Sequence, residues 1–238
     1  MATNAQAVIR RVVDTAQDPT SVRWPLRELV RYLNDGQREM VIYRPDATTT
    51  NATLTLVAGA KQAVPAAANR LIDVVRNNPA GSGGRSVRQV RRDILDASAP
   101  SWHTETGAPE ILNYVYDARD PKVFYVYPPA TTAAKLDIVY SAMPTDIVAP
   151  ADASVLPADS ATDTSSPAVV LGAITIADSF SAALVDYILY RAYTKDSEYA
   201  GDAARATAHY AAFVNVLGVE VKSGVGVAPI VASVAAPA

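Results

Sequence analysis

The chain has no cysteine. That absence removes disulfides, thiolate metal sites and cysteine nucleophiles together, and it fits a reducing compartment. Histidine is almost missing as well: His103 and His209 are the only two. Neither has carboxylates at metal-ligand spacing, so they read as a loop histidine and a helix-surface or interface histidine. There is no basic excess. Lysine and arginine number 21 against 24 acidic residues, a formal net charge of −3, which argues against a dedicated nucleic-acid-binding domain. No apolar run approaches the roughly 20 residues that span a bilayer, and the amphipathic start MATNAQAVIRRVVD lacks the apolar core of a secretory signal. No membrane partner is expected. The glycine-rich stretch around Ser82, Gly81-Ser82-Gly83-Gly84-Arg85, lacks the Lys-Ser or Lys-Thr of a phosphate-cradling loop and reads as a flexible turn. No internal repeat and no paired catalytic carboxylates are present, so no enzyme activity and no cofactor are expected.

What the chain does have is apolar mass and tyrosine. Half of its 238 residues are hydrophobic, and 12 tyrosines stand against 3 phenylalanines. That length allows one large domain or a domain with an insertion. The most informative stretch is Ile111 to Pro129, ILNYVYDARDPKVFYVYPP. Two β-branched and aromatic runs flank a short polar loop, which predicts an antiparallel hairpin with its tip at Ala118 to Lys122. Pro128-Pro129 is expected to stop the second strand, because proline supplies no ladder donor.

Helical periods lie at both ends of the chain. Ala5, Val8, Ile9, Val12, Val13 and Ala16 share one helix face, with Thr3 or Asn4 as cap. A second helix begins near Pro25 and carries Leu26, Leu29, Val30, Leu33 and Met40 on one side. Gly36 costs it about 1 kcal/mol relative to alanine, and a close helix–helix approach is the expected reason. A third begins at Asp178, read as its N-cap, and is apolar on most sides. A helix of that kind is buried all round, in its own core or against another subunit. The last runs from about Tyr199 to Leu217, with Gly218 as a C′ glycine. Between them the period changes to two. Strands are expected at Thr53–Val57, Leu71–Arg76, Ser86–Val90 and Ala134–Tyr140, and a helical turn at Asp93–Ala97.

The resulting expectation is an α+β fold. An antiparallel helical bundle of about four helices comes from both chain ends, residues 1–47 and 174–218. A β-rich insertion occupies 48–143, with the hairpin 111–129 projecting from it. Residues 144–173 form an irregular connection, and 219–238 form an extended C-terminal tail.

Several segments together resemble the head-to-tail adaptor, or connector, proteins of tailed bacteriophages, the group that includes tubular tail protein A of short-tailed phages. They are RELVRYLNDGQREMVIYRPDA (Arg27 to Ala47), LIDVVRN (Leu71 to Asn77), RRDILDASAPSWH (Arg91 to His103), YVYDARDPKVFYVYPP (Tyr114 to Pro129) and LVDYILYRAYTKDSEYAGDAARATAHYAAF (Leu184 to Phe213). None is a catalytic motif; their number and order carry the likeness. The resemblance implies a virion protein of the head–tail junction, assembled in the host cytoplasm as a homo-oligomeric ring of about twelve copies beneath the portal. Its partners would be the portal protein, a downstream tail or nozzle protein, and DNA passing through a channel without sequence recognition. The other reading of the residues is a non-enzymatic binding module that recognises a host protein or a soluble ligand through its hairpin.

Three groups of residues are expected to make these contacts. Tyr187, Tyr190 and Tyr193, with Arg119 and Asp120 at the hairpin tip, would lie at subunit interfaces, where tyrosine combines apolar area with a polar end. Val225, Val227, Pro229, Ile230 and Val231 of the tail would bind the portal or a neighbour, by adding a strand to an exposed sheet edge. Arg85, Arg88, Arg91 and Arg92, the only dense basic run, would be a solvated face or an electrostatic contact with portal or DNA.

Overall fold

The computed structural model of the chain describes residues 3–79, 81, 83–149, 171–195 and 200–227. It is α+β, and it divides into two compact units, residues 1–44 with 145–238 and residues 45–144.

The first unit is helical. Helix α1 spans Ala5–Ala16, with the Asn4 side chain accepting from the Gln6 N–H at 3.0 Å. The Asp18 carboxylate then gathers the N–H groups of Val22, Arg23 and Trp24, which closes the turn into α2, Leu26–Tyr43. Helix α4 spans Ser181–Lys195 and α5 spans Ala200–Val227. The buried side chains of α4 include Leu184, Val185, Tyr187, Ile188, Leu189 and Tyr193. It packs against α1, α2 and α5, so its all-round apolar character is satisfied within the chain. Gly36 sits where α2 crosses α4, as its position in the sequence suggested.

Two expectations fail in this unit. Asp178 does not cap α4. It opens a 3-10 turn, Asp178–Phe180, and its carboxylate accepts instead from the Thr3 N–H at 2.6 Å. That bond holds the carboxyl below its ordinary range and ties the start of the chain to this turn. Gly218 does not end α5, and residues 219–227 are helical rather than extended. A β-carbon at Gly218 would meet nothing within 4 Å and its φ is not positive, so no cap geometry forms there. The penalty of one glycine, about 1 kcal/mol, is too small to stop a helix. The first proline in the sequence after that point is Pro229. Pro229, Ile230 and Val231 lie outside the described residues, as do Ser82 and most of the irregular connection.

The second unit holds two sheets. The strands are β1 Thr49–Thr55, β2 Gly59–Ala63, β3 Ala68–Asn77, β4 Arg88–Gln89, β5 Asn113–Tyr116, β6 Val123–Ala130 and β7 Lys135–Ala142, with helix α3, Arg92–Ser98, after β4. One sheet has the order β1-β7-β3, all antiparallel, and the other the order β2-β6-β5-β4. In the second sheet β4 is parallel to β5, and the other pairs are antiparallel. The expected hairpin is β5–β6.

Both sheets supply one shared core of Leu71, Val74, Tyr114, Phe124, Val126, Leu136, Ile138 and their neighbours. On the opposite face of the four-stranded sheet, Leu95 and Trp102 cover Val115, Tyr125 and Tyr127. Alternate residues of β5 and β6 therefore enter two different cores, which is why the hairpin sequence is apolar in both registers. Pro128 and Pro129 belong to β6 after all. The pairing with β5 ends at Tyr127, and the pairing with β2 skips from Tyr125 to Ala130. No ladder bond is asked of either proline nitrogen, while the Pro129 carbonyl still accepts from the Ala108 N–H.

Candidate assembly surfaces

The β5–β6 turn is built by Asp117. Its side chain accepts from the Arg119 N–H at 2.9 Å and its carbonyl from the Asp120 N–H at 3.0 Å. The far side of the loop is anchored. The Pro121 carbonyl accepts from the Leu71 N–H, and the Lys122 carbonyl from the Val64 N–H. The free tip is therefore Ala118 to Asp120, shorter than the Ala118–Lys122 read from sequence. The Arg119 side chain is 93% exposed and lies 3.8 Å from Asp117.

Beside the tip, on the sheet edge where β4 turns into α3, lies an open cleft of about 820 Å³. Val90, Arg91, Arg92 and Asp93 form one wall, and Val115 to Asp120 form another. Arg91 pairs with Asp93 at 2.7 Å and Arg92 with Asp96 at 3.3 Å. Asp96 also accepts from the Trp102 indole N–H at 2.9 Å, the main cause of its lowered pKa. The cleft thus unites two stretches that the sequence presents separately, the basic run and the hairpin tip. Of that run Arg85 and Arg88 are exposed but do not line the cleft.

The three tyrosines of α4 differ in burial. Tyr187 is 2% exposed and packs on Phe213 of α5 with ring centroids 5.2 Å apart. Burial, then a hydrogen bond to Glu39, pushes its phenol pKa far up. Tyr193 is buried edge-on to Trp24 and stacked on His209, which itself meets Asp186 at 2.9 Å. Both side chains pack within the chain's own helices, and Tyr187 also borders the open cleft beside Ile42 and Tyr43. Tyr190 is half-buried beside Tyr210. Val225 and Val227 fall within α5.

Sequence reasoning missed an apolar surface on the helical unit. Ile42 is 74% exposed, Tyr43 53% and Val214 42%. Ile42 and Tyr43 border a cleft of about 440 Å³ that also includes Glu39 and Arg191. Tyr43 and Val214 border a smaller one of about 160 Å³ with Leu217. The signal was in the sequence: Ile42 and Tyr43 fall off the stripe that Leu26, Leu29, Leu33 and Met40 define. Among the described residues, no cluster of three or more His, Asp or Glu side chains could hold a metal. No described helix is long and apolar enough to cross a membrane.

The described surface offers open clefts and exposed apolar side chains. The sequence matches the SU10 adaptor protein family over residues 3–231, nearly its whole length, and the chain belongs to that family of phage structural adaptors. No curated protein matches it.

Proposed function

We propose that the chain is a head-to-tail adaptor that joins capsid to tail as a homo-oligomeric ring beneath the portal, leaving a channel for DNA. The observation that carries this reading is the family match over residues 3–231. A cyclic ring needs two different faces that meet head to tail. The exposed Ile42, Tyr43 and Val214 supply apolar area of the kind that interface centres use, and the charged tip Ala118–Asp120 supplies a polar contact. Tyr190 retains partial exposure for the same role. The helices of the first unit would form the antiparallel bundle of each subunit. Residues beyond Gly218, including Val225, Val227, Pro229, Ile230 and Val231, would reach the portal or an adjacent subunit. A downstream tail or nozzle protein would dock below. The role is structural and includes no catalytic step.

Of the basic run, Arg85 and Arg88 are the exposed residues that lie outside the cleft. Arg91 and Arg92 line the cleft among as many carboxylates as guanidinium groups, which disfavours a DNA strand there. Any DNA contact by Arg85 and Arg88 would be to the phosphate backbone, without sequence readout.

The test is a native mass measurement of the purified chain, alone and mixed with portal protein. The expected result is a species of about twelve copies that forms with portal or is captured by it. A chain that stays monomeric and ignores portal would favour a binding module instead.

A further inference from the structure

β4 runs beside β5 for only two pairs, Arg88 with Asn113 and Gln89 with Tyr114. The ladder's last bond is from the Val90 N–H to the Tyr114 carbonyl, 2.9 Å. The chain then leaves into α3, while β5 continues to Tyr116. Along a strand the main-chain polar groups of successive residues point alternately to the two sides. The Tyr114 carbonyl faces β4, so the main chain of Tyr116 faces that same side. The neighbouring strand has departed there, and the 820 Å³ cleft takes its place.

We propose that this cleft is a docking groove for an extended polypeptide segment of an assembly partner, one that carries both acidic and basic side chains and pairs with β5 at Tyr116. Strand addition at an open edge draws affinity from main-chain bonds and specificity from flanking side chains. Charge decides the occupant. The lining carries Arg91, Arg92 and Arg119 against Asp93, Asp117 and Asp120, so its formal charges cancel. A nucleic-acid strand presents negative charge alone and would meet as many carboxylates as guanidinium groups. A polypeptide with charges of both signs satisfies both walls. The Arg91 and Arg119 side chains are 81% and 93% exposed. Their present ion pairs are weakly held in water and exchange readily for a partner's. Val90 and Tyr125, both only partly buried, offer apolar contacts between the charges.

This inference rests on the adaptor reading, and one experiment separates the two. Amide hydrogen exchange is measured at Tyr116 in the free full-length chain and in assembled phage particles. The expected result is rapid exchange in the free chain and about tenfold or greater slowing in particles. A second chain, carrying Arg91→Asp and Arg119→Asp, should fold, enter particles in reduced yield and lose the slowing. Incorporation of the parent chain with Tyr116 exchange unchanged overturns the groove and leaves the adaptor role standing. Slowing that vanishes when DNA is released from the particles makes DNA the occupant and overturns the groove equally. A chain that never enters particles overturns the adaptor role and the groove with it.

Discussion

A β-carbon on Gly36 would stand 2.7 Å from Cδ1 of Tyr187, with Cδ2 of Leu184 at 3.1 Å. The glycine is what lets α2 lie against α4. The Tyr187 ring also packs on Phe213, which restricts its retreat. Gly36→Ala gains about 1 kcal/mol of helix propensity and loses more through overpacking, typically 1–3 kcal/mol. Lower stability in urea titration is expected, with Gly36→Leu worse again. An alanine variant as stable as the parent would show that the two helices can separate at little cost.

Asn77 acts as a substitute peptide group. It is buried, and its side chain both donates to the Ile111 carbonyl at 2.7 Å and accepts from the Ile111 N–H at 2.8 Å. It also donates to the Arg85 carbonyl at 3.0 Å. Ile111 is fully buried, so no water can replace these bonds. Asn77→Leu strands two main-chain groups and should cost about 2–4 kcal/mol. Asn77→Asp keeps the acceptor but turns a carboxylate toward two carbonyl oxygens. Its defect should shrink in acid, where the protonated carboxyl can donate again. Equal losses at neutral and acidic pH would remove the hydrogen-bond explanation.

The limits of the sequence show in particular residues. The β5–β6 hairpin was legible because alternation and a proline-bearing polar turn are local signals. β2 was not: Gly59-Ala60-Lys61-Gln62-Ala63 has no β-branched residue, and only its pairing with β6 makes it a strand. Tyr187 and Tyr193 show a different limit. Periodicity tells that all faces of α4 are apolar, but not whether the covering surface belongs to the same chain. The cleft was hidden because Arg91 and Arg119 are distant in sequence. The parallel β4–β5 pair that brings them together is two residues long, too short to leave a pattern.

Asp137 gives a pH-dependent prediction. Its carboxylate accepts from the Thr53 hydroxyl at 2.7 Å, the Arg76 guanidinium at 2.8 Å and the Asn78 amide at 2.7 Å. These bonds, that from Thr53 first, hold its pKa down at about 2, against an ordinary 3.8. A carboxyl whose folded pKa is depressed adds stability above its unfolded pKa and loses it as pH falls through the folded one. Asp137→Asn should therefore be less stable than the parent at neutral pH. The gap should narrow below about pH 3.8 and close near pH 2. Urea titrations of both chains across that range test it, and a gap of constant size would exclude ionisation as its source.

The hairpin tip should matter to assembly and not to folding. Arg119 and Asp120 are exposed, and the loop's anchors are the main-chain bonds of Pro121 and Lys122. Replacing both residues with alanine should shift stability by less than about 0.5 kcal/mol, as for ordinary surface changes. Particle yield should fall. Normal yield from the double variant would remove the tip from the assembly contacts.

The end of the chain can be dissected at two points, because α5 continues past Gly218 to Val227. A chain ending after Val227 keeps every described helix. It loses only Ala228 to Ala238, which includes Pro229, Ile230 and Val231. It should fold as the parent does and bind portal about tenfold or more weakly if those residues make the contact, a difference of roughly 1.4 kcal/mol or more. A chain ending after Gly218 also loses the last turns of α5, with Val225 and Val227. Retained binding in the first chain and loss in the second would assign the contact to the helical residues 219–227. Portal binding by both chains at the parent's affinity would show that nothing beyond Gly218 reaches the portal.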